Sequence, residues 1–194
     1  MNANSYYFTP QKLYICSMKK ALKIIGVIAL LLIGFLAYEG LFTSATPVKG
    51  IEGGYLLCGV DHIGAYQKIG PKFEQIKKIA EEKGFKDGKY SGVYFDDPKT
   101  VAEDKLRSFA GIIVNTEKDS AALSNIPGTH FYRIPKSEAV YCDMPMKGMI
   151  SMIISISKAY PALGEYHQQH PTNKVPSIFF ELYEKSSMRI VMLY

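Results

Sequence analysis

The chain has 194 residues, a length that allows one ordinary domain and a short additional segment. Hydrophobic residues make up 47% of the sequence, which is enough to build a core and excludes global disorder. The formal net charge is +5, but the basic residues are spread along the chain and form no basic stripe with interleaved aromatic residues. We therefore expect no nucleic-acid partner.

The first predicted element is a hydrophobic helix near the N-terminus. Residues 24–38 carry no charged side chain, and residues 21–42 are long enough as a helix to cross about 30 Å of hydrocarbon. This pattern predicts a transmembrane anchor at residues 21–42, with the lipid bilayer as a partner. A buried helix of a soluble protein and a cleaved signal peptide are the alternatives. The sequence after the helix is a poor cleavage site, and the apolar run is longer than a usual signal-peptide core, so an uncleaved anchor is favoured.

The charges around this helix predict its orientation. Lys19, Lys20 and Lys23 precede the apolar run and Glu39 follows it. In a bacterial membrane the positive-inside rule places residues 1–20, a short tail, in the cytoplasm and the domain on the opposite side. Translation could start at Met1 or at Met18.

The remaining sequence predicts a linker at residues 43–53 and a domain at residues 54–194. Its first half has the signals of a strand, a helix with apolar residues at helical spacing, and two further strands. These segments are residues 54–60, 64–83, 89–95 and 105–114.

The second half of the domain repeats this order. The strands are predicted at residues 139–143, 176–184 and 188–193, and the helix at residues 147–169, with a kink or break at Pro161. Met149, Ile150, Ile153, Ile154 and Ile156 are its apolar residues. The sequence therefore predicts an α+β fold in which a transmembrane helix precedes a tandem of two strand-helix-strand-strand units with antiparallel sheet.

Three segments resemble one protein family. Residues 60–70, Val-Asp-His-Ile-Gly-Ala-Tyr-Gln-Lys-Ile-Gly, resemble the H-x-G-x-Y-x-x-I segment of GyrI-like domains, and residues 177–183, Ser-Ile-Phe-Phe-Glu-Leu-Tyr, resemble the E-L-Y strand of the same family. Residues 92–98 and 104–107 resemble a narrower, membrane-anchored branch, which includes an animal receptor for autophagy of the endoplasmic reticulum. The resemblance implies a tandem fold like the one above and a domain that binds small molecules. Members of the family act in multidrug-sensing regulators, as gyrase inhibitors and as hydrolases of cyclopropane toxins.

Glu181 is the strongest candidate site residue. Strand alternation places it on one face with Phe179 and Tyr183. Ile178, Phe180 and Leu182 lie on the opposite face. A partly desolvated carboxylate between two aromatic rings can bind a flat cationic ligand, and the resemblance implies this role for the glutamate. The alternative is a solvated or structurally paired glutamate.

Other residues complete the predicted site. Tyr66, Tyr94 and Tyr141 are possible pocket walls, although ordinary packing explains each one equally well. The histidines have no spacing that indicates a metal site, and we expect no cofactor. Cys58 and Cys142 could form a disulfide, but two buried thiols are the preferred interpretation.

Three functions fit these observations. The first is a membrane-tethered, non-enzymatic protein that captures a small amphipathic or cationic molecule at Glu181. The second is a hydrolase of strained electrophiles in which Glu181 would be the catalytic base. The third is a membrane scaffold that recruits a protein partner, which the sequence does not identify.

Overall fold

The structure, a computed structural model, describes residues 10–85 and 87–194, with side chains from Met18 onward. The chain divides into two compact units, one ending at Phe42 and the other extending from Thr43 to Tyr194. The first nine residues of the predicted tail lie outside the described residues.

The first unit contains helix α1, which runs from Pro10 to Tyr38. Its segment Met18–Tyr38 is long and apolar enough to cross a membrane, by length and composition. Residues 21–38 of the predicted anchor are helical, and the helix ends where Tyr38 is followed by a turn.

The described residues of the second unit form one antiparallel sheet, three α-helices and two short 3-10 helices. The α-helices are α2 (Gly70–Glu82), α3 (Glu117–Leu123) and α4 (Met149–Gln169). The strands are β1 (Val48–Glu52), β2 (Leu56–Ile63), β3 (Tyr90–Tyr94), β4 (Arg107–Val114), β5 (His130–Arg133), β6 (Ser137–Pro145), β7 (Ile178–Tyr183) and β8 (Ser187–Leu193).

The eight strands lie in the order β1-β6-β8-β7-β3-β4-β2-β5. From the centre of the sheet outward, the strands of one half are β7, β8 and β6, and those of the other half are β3, β4 and β2. The two halves are therefore related by an approximate twofold axis between β7 and β3. Each half has the chain order strand, helix, strand, strand. The α+β class, the antiparallel sheet and the tandem predicted from sequence are confirmed.

The sheet closes on itself at its two edges. Strand β1 leads directly into β2, and β5 leads directly into β6. Between these strands the two connecting segments remain paired, because the amide of Gly54 donates to the carbonyl of Ile134 and the amide of Ile134 donates to the carbonyl of Tyr55. Hydrogen bonding thus continues from the β1–β6 pair to the β2–β5 pair through these two segments. The two edges of the sheet are thereby joined, and the sheet curves around a closed interior.

The two faces of the curved sheet have different packing partners. The interior is filled by side chains from the strands, including Leu57, Phe109 and Phe180, which are fully buried. The outer face carries the long helices: α2 packs on β2 and β4, whereas α4 packs on β6 and β8. Strands β3 and β7 lie between the two helices and are called the central floor below.

The structure also contains features that differ from the predictions or decide between alternatives. Strand β1 lies inside the segment predicted as a linker, and neither α3 nor β5 is among the predicted elements. Helix α4 is continuous through Pro161. Cys58 and Cys142 are buried free thiols rather than a disulfide.

Candidate functional site

The candidate site is a carboxylate in the central floor whose oxygens accept hydrogen bonds from three tyrosines. Glu181 on β7 is only 2% exposed. Its Oε2 accepts from the hydroxyl of Tyr94 at 3.0 Å and also from the hydroxyl of Tyr183, and its Oε1 accepts from the hydroxyl of Tyr160 at 2.9 Å. These four residues are called the carboxylate cluster. They come from β3, β7 and α4, so the folded sheet and one helix are both needed to assemble it.

The approximate twofold axis explains why tyrosines converge on one carboxylate. In the pairing of β3 with β7, Gly92 lies opposite Glu181. Each of these residues is followed two positions later by a tyrosine, Tyr94 in one half of the domain and Tyr183 in the other. Because the axis passes close to the Gly92–Glu181 pair, the two tyrosines flank Glu181 from opposite sides.

Gly92 provides the space that this arrangement needs. A Cβ atom built at Gly92 would lie 2.9 Å from the hydroxyl oxygen of Tyr94 and 3.2 Å from Cζ of Phe73. Contacts this short require the neighbouring groups to shift. The absence of a side chain therefore lets the ring of Tyr94 lie over β3 and reach Glu181.

Aromatic rings surround the carboxylate cluster. Phe179 packs against Tyr160 with ring centroids 5.6 Å apart, Phe73 of α2 meets Tyr183 edge to face at 5.3 Å, and Tyr66 meets Tyr94 edge to face at 4.9 Å. The hydroxyl of Tyr66 does not reach Glu181, because it bonds the backbone of Asp96. Such edge-to-face pairs form an ordered aromatic wall.

The structure brings together five of the six predicted ligand-binding residues. Glu181, Tyr183 and Tyr94 belong to the carboxylate cluster, while Phe179 and Tyr66 belong to its aromatic wall. Tyr141 differs from the prediction: it lies on the opposite face of the sheet, with its ring centroid 4.2 Å from the Arg189 guanidinium. The physical reason is strand alternation, since its neighbour Cys142 occupies the outer face of β6.

Two members of the site are missing from the sequence analysis. Tyr160 comes from α4 and Phe73 from α2, and a single sequence does not reveal which face of each helix meets the central floor. The spacing of Tyr66, Ile69, Phe73 and Ile76 is the signal that could have identified Phe73. For Tyr160 the apolar pattern was misleading, because α4 fully buries Ser151 and Ser155 while Ile150 and Ile153 are exposed.

The region that contains this site matches a known protein family. The family described as "GyrI-like small molecule binding domain" matches residues 54–183. The chain belongs to the GyrI-like family. The matched region contains the whole carboxylate cluster and both long helices of the second unit.

The chain is similar to two mammalian proteins. It is 25% identical over 169 residues to Testis-expressed protein 264 homolog of Mus musculus, covering 81% of this chain and 51% of that protein. Against Testis-expressed protein 264 of Homo sapiens the identity is 23% over 177 residues, covering 85% of this chain and 53% of that protein. The chain thus spans about half the length of these relatives.

Solved structures share the fold at low sequence identity. An integron cassette protein from the mobile metagenome of Vibrio cholerae aligns with a TM-score of 0.54 and 12% identity, covering 77% of this chain and 97% of that chain. The C-terminal domain of EcmrR aligns with a TM-score of 0.53 and 13% identity, covering 77% and 96%. At these identities the similarity establishes the GyrI-like fold alone.

Burial dominates the electrostatics of the carboxylate cluster. It raises the pKa of Glu181 above its ordinary value, although the hydrogen bonds from Tyr183, Tyr160 and Tyr94 oppose the shift. The sequence predicted a partly desolvated carboxylate, whereas the structure has a buried one, because the tyrosine rings close over it. Burial and the nearby carboxylate also raise the pKa of all three tyrosines well above 10.0, so their hydroxyls remain protonated donors at neutral pH.

The carboxylate cluster lacks a positive charge. Among the ion pairs of the described residues none includes Glu181, and its hydrogen bonds all come from neutral hydroxyls. A buried carboxylate without a cationic partner is energetically unfavourable in its ionised form. The arrangement is therefore chemically suited to a positively charged group that enters between the aromatic rings.

Proposed function

We propose that this protein is a membrane-tethered, non-enzymatic binding protein that captures a flat cationic or amphipathic small molecule at Glu181. The observation that carries the proposal is the buried carboxylate, held by three tyrosine hydroxyls and paired with no basic side chain of the described residues. Membership of a family described by small-molecule binding supports it.

Charge and ring stacking would contribute together to such binding. A cation placed beside Glu181 supplies the counter-charge that the folded domain lacks, and this favours the ionised carboxylate. The rings of Phe179, Tyr160 and Tyr183 offer π-faces and edges for a planar cation. A neutral molecule of the same shape gains only the contacts with the rings and should bind more weakly.

Binding requires the site to open, because Glu181 is closed to solvent in the structure. The residues over the central floor belong to different helices: Tyr160 lies on α4 and Phe73 on α2. These helices pack on opposite pairs of outer strands, so we propose that a ligand enters between them as the two rings move aside. The observed affinity is then lower than the affinity of the open state, in proportion to the fraction of molecules that are open at equilibrium.

Helix α1 would tether this binding domain to a bilayer. Its segment Met18–Tyr38 has the length and composition of a single span, and Lys19, Lys20 and Lys23 lie at its N-terminal end. In a bacterial membrane these charges would hold the N-terminus in the cytoplasm and the GyrI-like domain on the other side.

A thermal-shift measurement on the full chain in a non-ionic detergent tests the binding proposal. The probes are N-methylacridinium, a planar cation, and acridine, a neutral analogue with the same ring system at pH above neutrality. A ligand that binds the folded state raises the melting temperature by mass action. We expect N-methylacridinium to raise the Tm of the wild-type chain and acridine to raise it less.

The Glu181→Gln variant provides the matched control because it keeps the shape of the side chain and removes its charge. We expect the variant to lose the preference for the cation. Equal shifts by both probes in the wild-type chain would refute a site that selects positive charge, and a cation-specific shift retained by the variant would place the site elsewhere.

A further inference from the structure

Helix α4 buries small polar residues and exposes large apolar ones along its first half. Ser151 and Ser155 are fully buried against the sheet, and Ser155 Oγ donates to the carbonyl of Pro145 at 2.7 Å. Met149 is 74% exposed, Ile150 43% and Ile153 57%. These last three residues are called the outer stripe. A helix on the surface of a water-soluble domain normally has the opposite arrangement.

The equivalent helix of the other half shows that the fold does not require this arrangement. Helix α2 buries Ile76 and Ala80, and its exposed positions include Glu74, Gln75 and Lys78. Both helices cover the outer face of the same sheet. The outer stripe is therefore a particular property of α4, and it would leave a contiguous apolar patch in water.

Helix α4 is connected to the point where the chain enters the second unit. Lys158 Nζ donates to the carbonyl of Thr43 at 2.7 Å, and Ala45 packs against the cluster that contains Ala159 and Leu163. Four residues separate Thr43 from Tyr38, the last residue of α1, and this length of chain spans at most about 18 Å. Ile153 is about 8 Å from Lys158 along the helix.

The charges around the outer stripe suit a lipid headgroup layer. From Met144 to Gly164 the sequence contains no acidic residue, and its two charged residues are Lys147 and Lys158. An apolar helix face without acidic residues and with a net positive charge is typical of helices that lie in the membrane interface, next to the lipid phosphates.

We infer that the outer stripe of α4 docks in the interface of the bilayer that α1 crosses. The inference rests on the membrane tether of the proposed function, since the short connection between Tyr38 and Thr43 is what keeps α4 near the lipid surface. Docking would hold the helix that contributes Tyr160 to the carboxylate cluster against the bilayer. An amphipathic ligand dissolved in the lipid would then reach the site without crossing water.

Fluorescence depth measurements on the full chain in vesicles test this docking. The sequence contains no tryptophan, so a single introduced tryptophan reports alone. Ile153→Trp places it on the outer stripe, and Gln75→Trp places it at an exposed position of α2 as a matched control. Both variants are reconstituted into phosphatidylcholine vesicles with and without brominated acyl chains, and vesicle flotation measures the membrane tether separately.

We expect Ile153→Trp to have blue-shifted emission that the brominated lipid quenches several times more strongly than that of Gln75→Trp. Equal quenching in chains that float with the vesicles would overturn the inference while leaving the tether intact. A blue shift without lipid quenching would also overturn it, because protein, such as a second copy of the chain, would then cover the stripe. Chains that do not float would refute the tether and the docking together.

Discussion

Glu181 accepts hydrogen bonds from tyrosines on its own strand, on the neighbouring strand and on a helix. Each hydrogen bond to a charged group contributes about 1.5–3 kcal/mol, whereas a buried charge without such partners carries a large desolvation penalty. For Glu181 burial outweighs the three bonds, because the pKa of its carboxyl is raised. The residue thus costs stability when ionised, which is typical of a group retained for binding.

The raised pKa predicts how stability depends on pH. Below the ordinary Glu value of 4.5 the carboxyl is neutral in the folded and unfolded states, and its full contribution is present. As pH rises above this value, Glu181 ionises in the unfolded chain before it ionises in the folded chain, which favours unfolding. The free energy of unfolding therefore decreases until the pH exceeds the raised pKa of the folded state. Relative to Glu181→Gln, the wild-type free energy of unfolding should therefore fall as pH increases above 4.5.

Urea unfolding of both chains at a series of pH values measures this difference, because all other titrating groups are shared. A difference that is constant with pH, or that grows as pH rises, would mean that Glu181 is not destabilised by ionisation in the folded domain.

Gly92 predicts a second effect at the residue scale. Replacing it by Ala places a methyl group 2.9 Å from the Tyr94 hydroxyl oxygen and 3.2 Å from Phe73. Overpacking of this kind costs about 1–3 kcal/mol, and it should also displace Tyr94 from Glu181. We expect a lower denaturation midpoint in urea and a weaker cation-specific thermal shift. An unchanged midpoint would mean that the rings over the central floor adjust without cost.

The sequence was sufficient to place some of these residues. Strand alternation correctly grouped Phe179, Glu181 and Tyr183 on one face, because that pattern depends only on local geometry. Strand alternation could not predict the position of Tyr160, because that position depends on which side of helix α4 packs on the sheet. The same alternation explains the position of Tyr141, because its neighbours Val140 and Cys142 face outward and Tyr141 therefore lies on the inner face.

Helix α4 shows at the element scale why its orientation could not be predicted from hydrophobicity. Its buried positions are Ser151, Ser155, Ala159 and Leu163, spaced four residues apart. Three of these are small, which lets the helix approach the sheet closely, and the serine hydroxyls bond nearby backbone carbonyls. A pattern analysis that assumes water on the outside selects the isoleucine face instead.

Gly164 offers a test of the helix itself. It lies in the interior of α4, and a Cβ atom there would meet nothing within 4 Å. Since glycine in a helix interior is destabilising relative to alanine by about 0.5–1 kcal/mol, Gly164→Ala should raise the free energy of unfolding by about that amount. Urea unfolding measures it. A loss of stability would indicate that α4 is strained or crowded at this position.

The elements missed by the sequence analysis are short and depend on distant partners. Strand β1 exists because it pairs with β6, and β5 because it pairs with β2. Their sequences lack a strong alternating pattern, and such strands are fixed by tertiary pairing. Helix α3 has seven residues and starts with a capping box between Thr116 and Asp119, a signal that could have located it.

At the scale of the whole molecule, closure of the sheet gives its two faces different roles. The interior face holds a filled hydrophobic core, while the outer face leaves the central floor between two helices for the carboxylate cluster. The strand-helix-strand-strand tandem was predictable because each half repeats the same order of signals. The closure was not, since it depends on pairing between segments about 80 residues apart.

The most direct test of the proposed function is the affinity of N-methylacridinium for the full chain and for Glu181→Gln, measured by isothermal titration calorimetry at neutral pH. Loss of a charge-assisted contact worth about 1.5–3 kcal/mol should weaken binding by about tenfold or more. The affinity for acridine should change much less. Equal affinities of the two chains for the cation would contradict the assignment of Glu181 as the centre of the binding site.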